Sequence, residues 1–155
     1  MLARDVMTTD FHSLKPDIPL HKALEPLWQI HHFEAPVVED GRLVGMVNIR
    51  NLVRQSLPRY LLEAEMGDVS YAPDLHQVTD RMRAMGRKTV REVMVTHYRK
   101  VSADTALFAV AALLMKEDTK EAHNVAVVDD NGRLEGLISE WDILRHVFGQ
   151  LDFDG

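Results

Sequence analysis

The chain has no cysteine, which excludes disulfides, thiolate zinc sites, iron–sulfur clusters and cysteine nucleophiles and fits a reducing compartment. It has no long apolar run either: Ala106 to Met115 falls far below the roughly 20 residues that span a bilayer. Met1-Leu2-Ala3-Arg4-Asp5 lacks the apolar stretch of a signal peptide. A cytoplasmic protein without membrane insertion is expected. Positive charge is in deficit, 18 Lys and Arg against 24 Asp and Glu for a net charge of −6, and no basic run offsets it. General attraction to nucleic acid or anionic lipid is therefore not expected, although a local positive pocket remains compatible with the composition.

Two catalytic signatures are missing as well. There is no Walker-type glycine-rich loop with lysine, and the 8 histidines include no His-Glu-x-x-His pair. Adjacent His31 and His32 point to different sides of a helix, so they do not form a metal pair. Nor does any nucleophile stand beside an oriented base. The expectation is a protein with no catalytic residue, no metal site and no required cofactor.

What is present is a repeat. Met7, Asp17 and Leu20 are matched by Met94, Asp104 and Leu107, each 87 positions later. Val37-Val38 meets Val127-Val128 at an offset of 90, and Gly45 meets Gly136 at 91. In both halves a helical pattern, Pro19 to Phe33 and Thr105 to Lys116, gives way to two strands around a polar turn. The strands are Ala35 to Val38 with Leu43 to Val47, and Val125 to Val128 with Leu134 to Ile138. The turns are Glu39-Asp40-Gly41 and Asp129-Asp130-Asn131-Gly132. A second helix follows, from about Asn48 and from about Ser139, and a short strand precedes the first helix.

Pro19 suits a first helical turn, and Asp104 suits a cap. Pro26 inside the first helix is expected to bend it without breaking it. The organisation read from this pattern is a first repeat over 1–54, a helical connector over 55–87, a second repeat over 88–148 and a tail over 149–155. In the connector, Leu57 to Met66 can form a helix, Gly67-Asp68 and Ala72-Pro73 interrupt it, and Leu75, Val78, Met82 and Met85 resume helical spacing. Asp74 can cap that last helix and Gly86 can end it.

Asp5-Val6-Met7-Thr8 and Glu92-Val93-Met94-Val95-Thr96, the Ala35-Pro36-Val37-Val38 hairpin, and Gly136-Leu137-Ile138-Ser139-Glu140-Trp141-Asp142 together resemble a tandem CBS-domain pair, or Bateman module. The likeness covers nearly the whole chain. It implies an α+β fold of two β-α-β-β-α CBS repeats packed through their sheets, with two clefts that in many relatives hold adenosyl ligands. It also implies a regulatory role, homodimerisation, and a target protein met in trans. The ligands it implies are AMP, ADP, ATP, S-adenosylmethionine or NAD. A ligand-free dimerisation scaffold is the alternative.

The resemblance assigns residues to the clefts. Ser139 takes the hydroxyl position that meets phosphate, and Asp142 the acid that accepts from a ribose diol. The same Ser-x-x-Asp spacing is also a helix capping box, and the two roles can coexist. In the first repeat Asn48 and Asn51 replace hydroxyl and acid, with Arg50 between them, which implies a weaker, altered or vacant cleft. Thr96 belongs to the second N-terminal motif. Phe11 and Tyr98 occupy matching positions, where a ring either stacks on adenine or packs in the core. Backbone groups at Ala35, and at Asn124, Val125 and Ala126, are placed to read the base edge; Ala126 stands where the family has proline, freeing an N–H.

Overall fold

The computed structural model describes residues 1–63, 75–116 and 122–152. In chain order the elements are α1 (Ala3–Val6), α2 (Leu20–Leu24) running into a 3-10 turn (Glu25–Leu27), β1 (Glu34–Glu39), β2 (Arg42–Asn48), α3 (Ile49–Ser56) and α4 (Arg59–Glu63). They continue with α5 (Leu75–Arg87), α6 (Val90–Val93), β3 (Arg99–Val101), α7 (Leu107–Leu114), β4 (Val125–Val128), β5 (Leu134–Ile138) and α8 (Glu140–Phe148). The fold is α+β, with one sheet of β1 and β2 and another ordered β3, β4, β5.

Both repeats build an antiparallel hairpin with a register shift at the same place, between Val37 and Val38 and between Val127 and Val128. Asp40 and Gly41 both have positive φ, 53° and 80°, as a tight two-residue hairpin turn requires. The third strand differs between repeats. β3 runs parallel to β4 over three residue pairs, whereas in the first repeat only Leu14 bridges Val37. Leu14 donates to the Pro36 carbonyl and accepts from Val38. Pro36 has no N–H with which to extend that ladder toward His12, where the second repeat has Ala126.

The helical expectations need four corrections. Pro26 ends the first helix rather than bending it: α2 stops at Leu24, a 3-10 turn follows, and His31 has a φ of 51°. Proline offers no N–H to the carbonyl of Lys22 and its ring crowds that carbonyl. Pro19 sits at the N-cap of α2, just ahead of the first turn. Asp104 does not cap α7, which starts later with Ala106 at its N-cap; the carboxylate instead pairs with Arg4 of α1. In the connector, α4 covers Arg59–Glu63 and α5 runs one residue past Gly86. The expected breaks at Gly67-Asp68 and Ala72-Pro73, and the cap at Asp74, lie outside the described residues.

The N-terminal segments of the repeats are exchanged. Ala3 and Val6 of α1 are buried with Leu107, Val110, Val125, Val127 and Ile138 of the second repeat. Val90 and Val93 of α6 are buried with Leu20, Leu24, Val37 and Val47 of the first. Each short helix is held by a carboxylate at its start: Asp5 accepts from the Leu2 N–H at 2.7 Å, and Glu92 from that of Thr89 at 2.7 Å, which holds the Glu92 carboxyl below its ordinary value. A third cluster, of Leu43, Met46, Ala122, Ala126 and Leu137, joins the two hairpins face to face.

Two glycines make the exchange sterically feasible. A Cβ on Gly45 would lie 2.5 Å from Met94 Sδ and 3.1 Å from the Val95 carbonyl oxygen, and one on Gly136 would lie 2.7 Å from Met7 Sδ. Gly45→Ala and Gly136→Ala should therefore each lower stability by about 1–3 kcal/mol through overpacking, read as a lower urea midpoint at unchanged slope. An unchanged midpoint would show that the two methionines move aside freely.

Candidate functional site

The exchange places each repeat's N-terminal motif along the other repeat's hairpin. Thr8 and Leu137 form a reciprocal backbone pair, Thr8 N–H to Leu137 O at 2.9 Å and Leu137 N–H to Thr8 O at 3.0 Å. Met46 and Val95 form the matching pair at 2.9 and 2.7 Å. Thr8 thus arrives beside α8, and its Oγ1 donates to Asp142 Oδ1 at 2.6 Å. The matching positions in the other cleft are Val95 and Asn51, which have neither the hydroxyl nor the acid.

Ser139 is the N-cap of α8, with extended backbone. Its N–H and Oγ both donate to Asp142 Oδ2, at 2.7 and 2.8 Å. The expected capping box is therefore formed, and Asp142 is held from both repeats at once. Beside it lies a cavity of about 400 Å³ between α1 and α8, lined by Asp5, Thr8, Asp142, Arg145, His146 and Gln150 among others. Gln150 Nε2 and His146 Nε2 are 2.8 Å apart. Ser139 is not on this lining. On the first repeat α3 packs against α5, with a smaller cavity of about 250 Å³ bordered by Gln55, Arg81 and Lys88.

The remaining sequence candidates fall elsewhere. Thr96 is exposed and is not brought to Ser139. Phe11 and Tyr98, both half-buried, pack on the cluster between the hairpins; the Tyr98 hydroxyl donates to the Leu43 carbonyl at 3.2 Å, and burial raises its pKa. Ala35, Val125 and Ala126 are buried within the strands. Asn48 caps α3, its Oδ1 accepting from the Asn51 N–H at 3.0 Å, while Arg50 is exposed and Asn51 half-buried. The Asn124 N–H, a candidate for reading a base edge, donates to the Glu34 carboxylate at 2.6 Å.

Sequence reading passed over Thr8, Arg145, His146 and Glu34. Thr8 was visible as part of its motif, but only the exchange of segments brings it to Asp142. Arg145 and His146 follow Asp142 by three and four positions, one helical turn on the same face, a spacing that could have been read. Glu34 carried no signal beyond being a charged residue at the start of an apolar strand.

Among the described residues no group of three or more His, Cys, Asp or Glu side chains is arranged to hold a metal ion, and no helix is long and apolar enough to cross a membrane.

A family model described as CBS domain matches residues 3–57 and 90–149. Among curated proteins, one named zinc metalloprotease MJ0392, from Methanocaldococcus jannaschii, is 27% identical over 143 residues. The match takes in 92% of this chain but 31% of that protein, so the chain spans about a third of its length. Among solved structures, the CBS-pair protein CBSX2 from Arabidopsis thaliana superposes with a TM-score of 0.72 at 22% identity, over 96% of this chain and 94% of that one. A structure of CBSX2 in complex with AMP superposes with a TM-score of 0.69 at 24% identity, over 96% of each chain.

Proposed function

Because the chain belongs to the CBS-domain family as a tandem pair of repeats, we propose that it is a non-catalytic regulatory module that binds an adenosyl ligand beside Asp142 and signals to a separate target protein. The observation that carries this reading is the Asp142 carboxylate, tied to Thr8 and to Ser139 at the edge of the 400 Å³ cavity. A carboxylate there can accept from a ribose diol, while Arg145 and His146 on the same lining supply donors and, at Arg145, positive charge for an anionic group. That AMP is held by CBSX2, a protein of the same fold, supports the ligand class.

The asymmetry between clefts favours one strong site per chain. Asn51 faces the second site's role without a carboxylate, and Val95 without a hydroxyl. Signalling requires the two states of the module to bind ligand with different affinity, and Asp142 is suited to this because it bridges segments from both repeats. The homodimer is supported by apolar side chains left exposed on the outer helices: Phe108 on α7, and Trp141, Leu144 and Phe148 on α8. A second copy covering α7 and α8 would bury them.

Thermal unfolding and calorimetry against AMP, ADP, ATP, S-adenosylmethionine and NAD test the reading, since a ligand of the folded state raises its apparent stability. The expected result is saturable binding of one of them at one equivalent per chain. Silence toward all five, from folded protein shown free of carried-over nucleotide, would favour a ligand-free scaffold that dimerises and presents a surface.

A further inference from the structure

Neither the Asp142 cavity nor the hydrophobic clusters use the buried carboxylate of Glu34, which is 5% exposed at the start of β1. Its Oε2 accepts from the His123 N–H at 2.7 Å and from Asn48 Nδ2 at 3.2 Å, and its Oε1 from the Asn124 N–H at 2.6 Å. Two successive backbone N–H groups and a side-chain amide converging on one carboxyl make a hydrogen-bonded seat for that group. Its second-repeat side is braced independently of Glu34. The His123 imidazole lies 2.8 Å from the Glu140 carboxylate, and buried Arg99 donates to the carbonyls of His123 and Lys116. The positions matching Glu34 and His123 in the other repeat are Asn124 and Phe33, so the seat is built in one direction only.

We propose that the His123–Asn124 amide pair, with Asn48 Nδ2, is a carboxylate-binding site that the chain fills with its own Glu34, locking the first repeat to the second. A small free carboxylate takes the same seat once Glu34 is withdrawn. The inference goes beyond the adenosyl reading and does not rest on Asp142. With Glu34 present, its attachment to the chain gives it an effective concentration that a free anion does not match. Removing its side chain beyond Cβ leaves the donors facing a space the size of the deleted group.

Glu34→Ala, with the wild type and Glu34→Gln beside it, tests this by thermal unfolding in sodium formate and in sodium chloride of equal ionic strength. Formate should raise the Tm of Glu34→Ala by on the order of 3 °C or more relative to chloride. The wild type and Glu34→Gln, whose side chains still fill the seat, should show no such difference. If Glu34→Ala is unfolded in chloride, recovery of its circular dichroism in formate is the same positive result. In the folded variant the amide resonances of His123 and Asn124 should move saturably with formate. Equal stabilisation of all three proteins, or no response of Glu34→Ala in Tm, refolding or amide shifts, would overturn the proposal.

Discussion

Replacing Asp142 with alanine should weaken adenosyl binding by about 10-fold or more, the loss of a charge-assisted contact, and also lower stability by about 1–2 kcal/mol, the loss of a helix cap. Both effects are expected because the carboxylate accepts three hydrogen bonds within the protein, two from Ser139 and one from Thr8. Asp142→Asn separates the two roles. It keeps a carbonyl oxygen for the cap but has no negative charge to strengthen bonds from a ribose diol, so more of its effect should fall on affinity than on folding. Urea unfolding and calorimetry on the same preparations give the two quantities. A loss of stability with affinity unchanged in both variants would reduce Asp142 to a helix cap and remove the main support for the adenosyl site.

The other large effect is expected at Glu34. Glu34→Ala leaves three donors facing a cavity, and the loss of a buried, fully bonded carboxylate should cost about 2–5 kcal/mol at neutral pH. Glu34→Gln should cost less and reports the sign of the charge effect. Burial raises the Glu34 carboxyl above its ordinary value, opposed by the bonds from Asn124, His123 and Asn48 and by the charge on His123. A carboxyl with a raised folded pKa contributes stability that is fully present below its unfolded pKa and is lost as pH rises through the folded one. The advantage of wild type over Glu34→Gln should therefore shrink over the pH interval above the ordinary carboxyl value of about 4. An advantage that grows over that interval in urea unfolding would mean that the three donors outweigh desolvation.

These two residues differ in how much of their role is written locally in the chain. Ser139 and Asp142 were legible because their spacing is local: a capping box is set by residues three apart, whatever surrounds it. Glu34 was not, because its partners His123 and Asn124 are about 90 positions away and contribute backbone N–H groups, which every non-proline residue carries. Pro26 is legible as a disturbance of the first helix, but not as its end. Whether a proline kinks a helix or ends it depends on what the following turn can pack against, and here Trp28, Ile30 and Phe33 are left exposed.

The two hairpins, the helices that follow them, the family resemblance and the different residues at the two clefts are all legible in the chain, because they rest on local periodicity or on residue identity at repeated positions. Folding in three dimensions is what exchanges α1 and α6, brings Thr8 to Asp142 while Val95 lies along the opposite hairpin, and closes Glu34 on the far repeat. These contacts join segments far apart in the chain, 49 residues for Met46 and Val95 and 134 for Thr8 and Asp142. They form because α1 and α6 bury their apolar faces in the other repeat's core, at places where Gly45 and Gly136 leave room for Met94 and Met7.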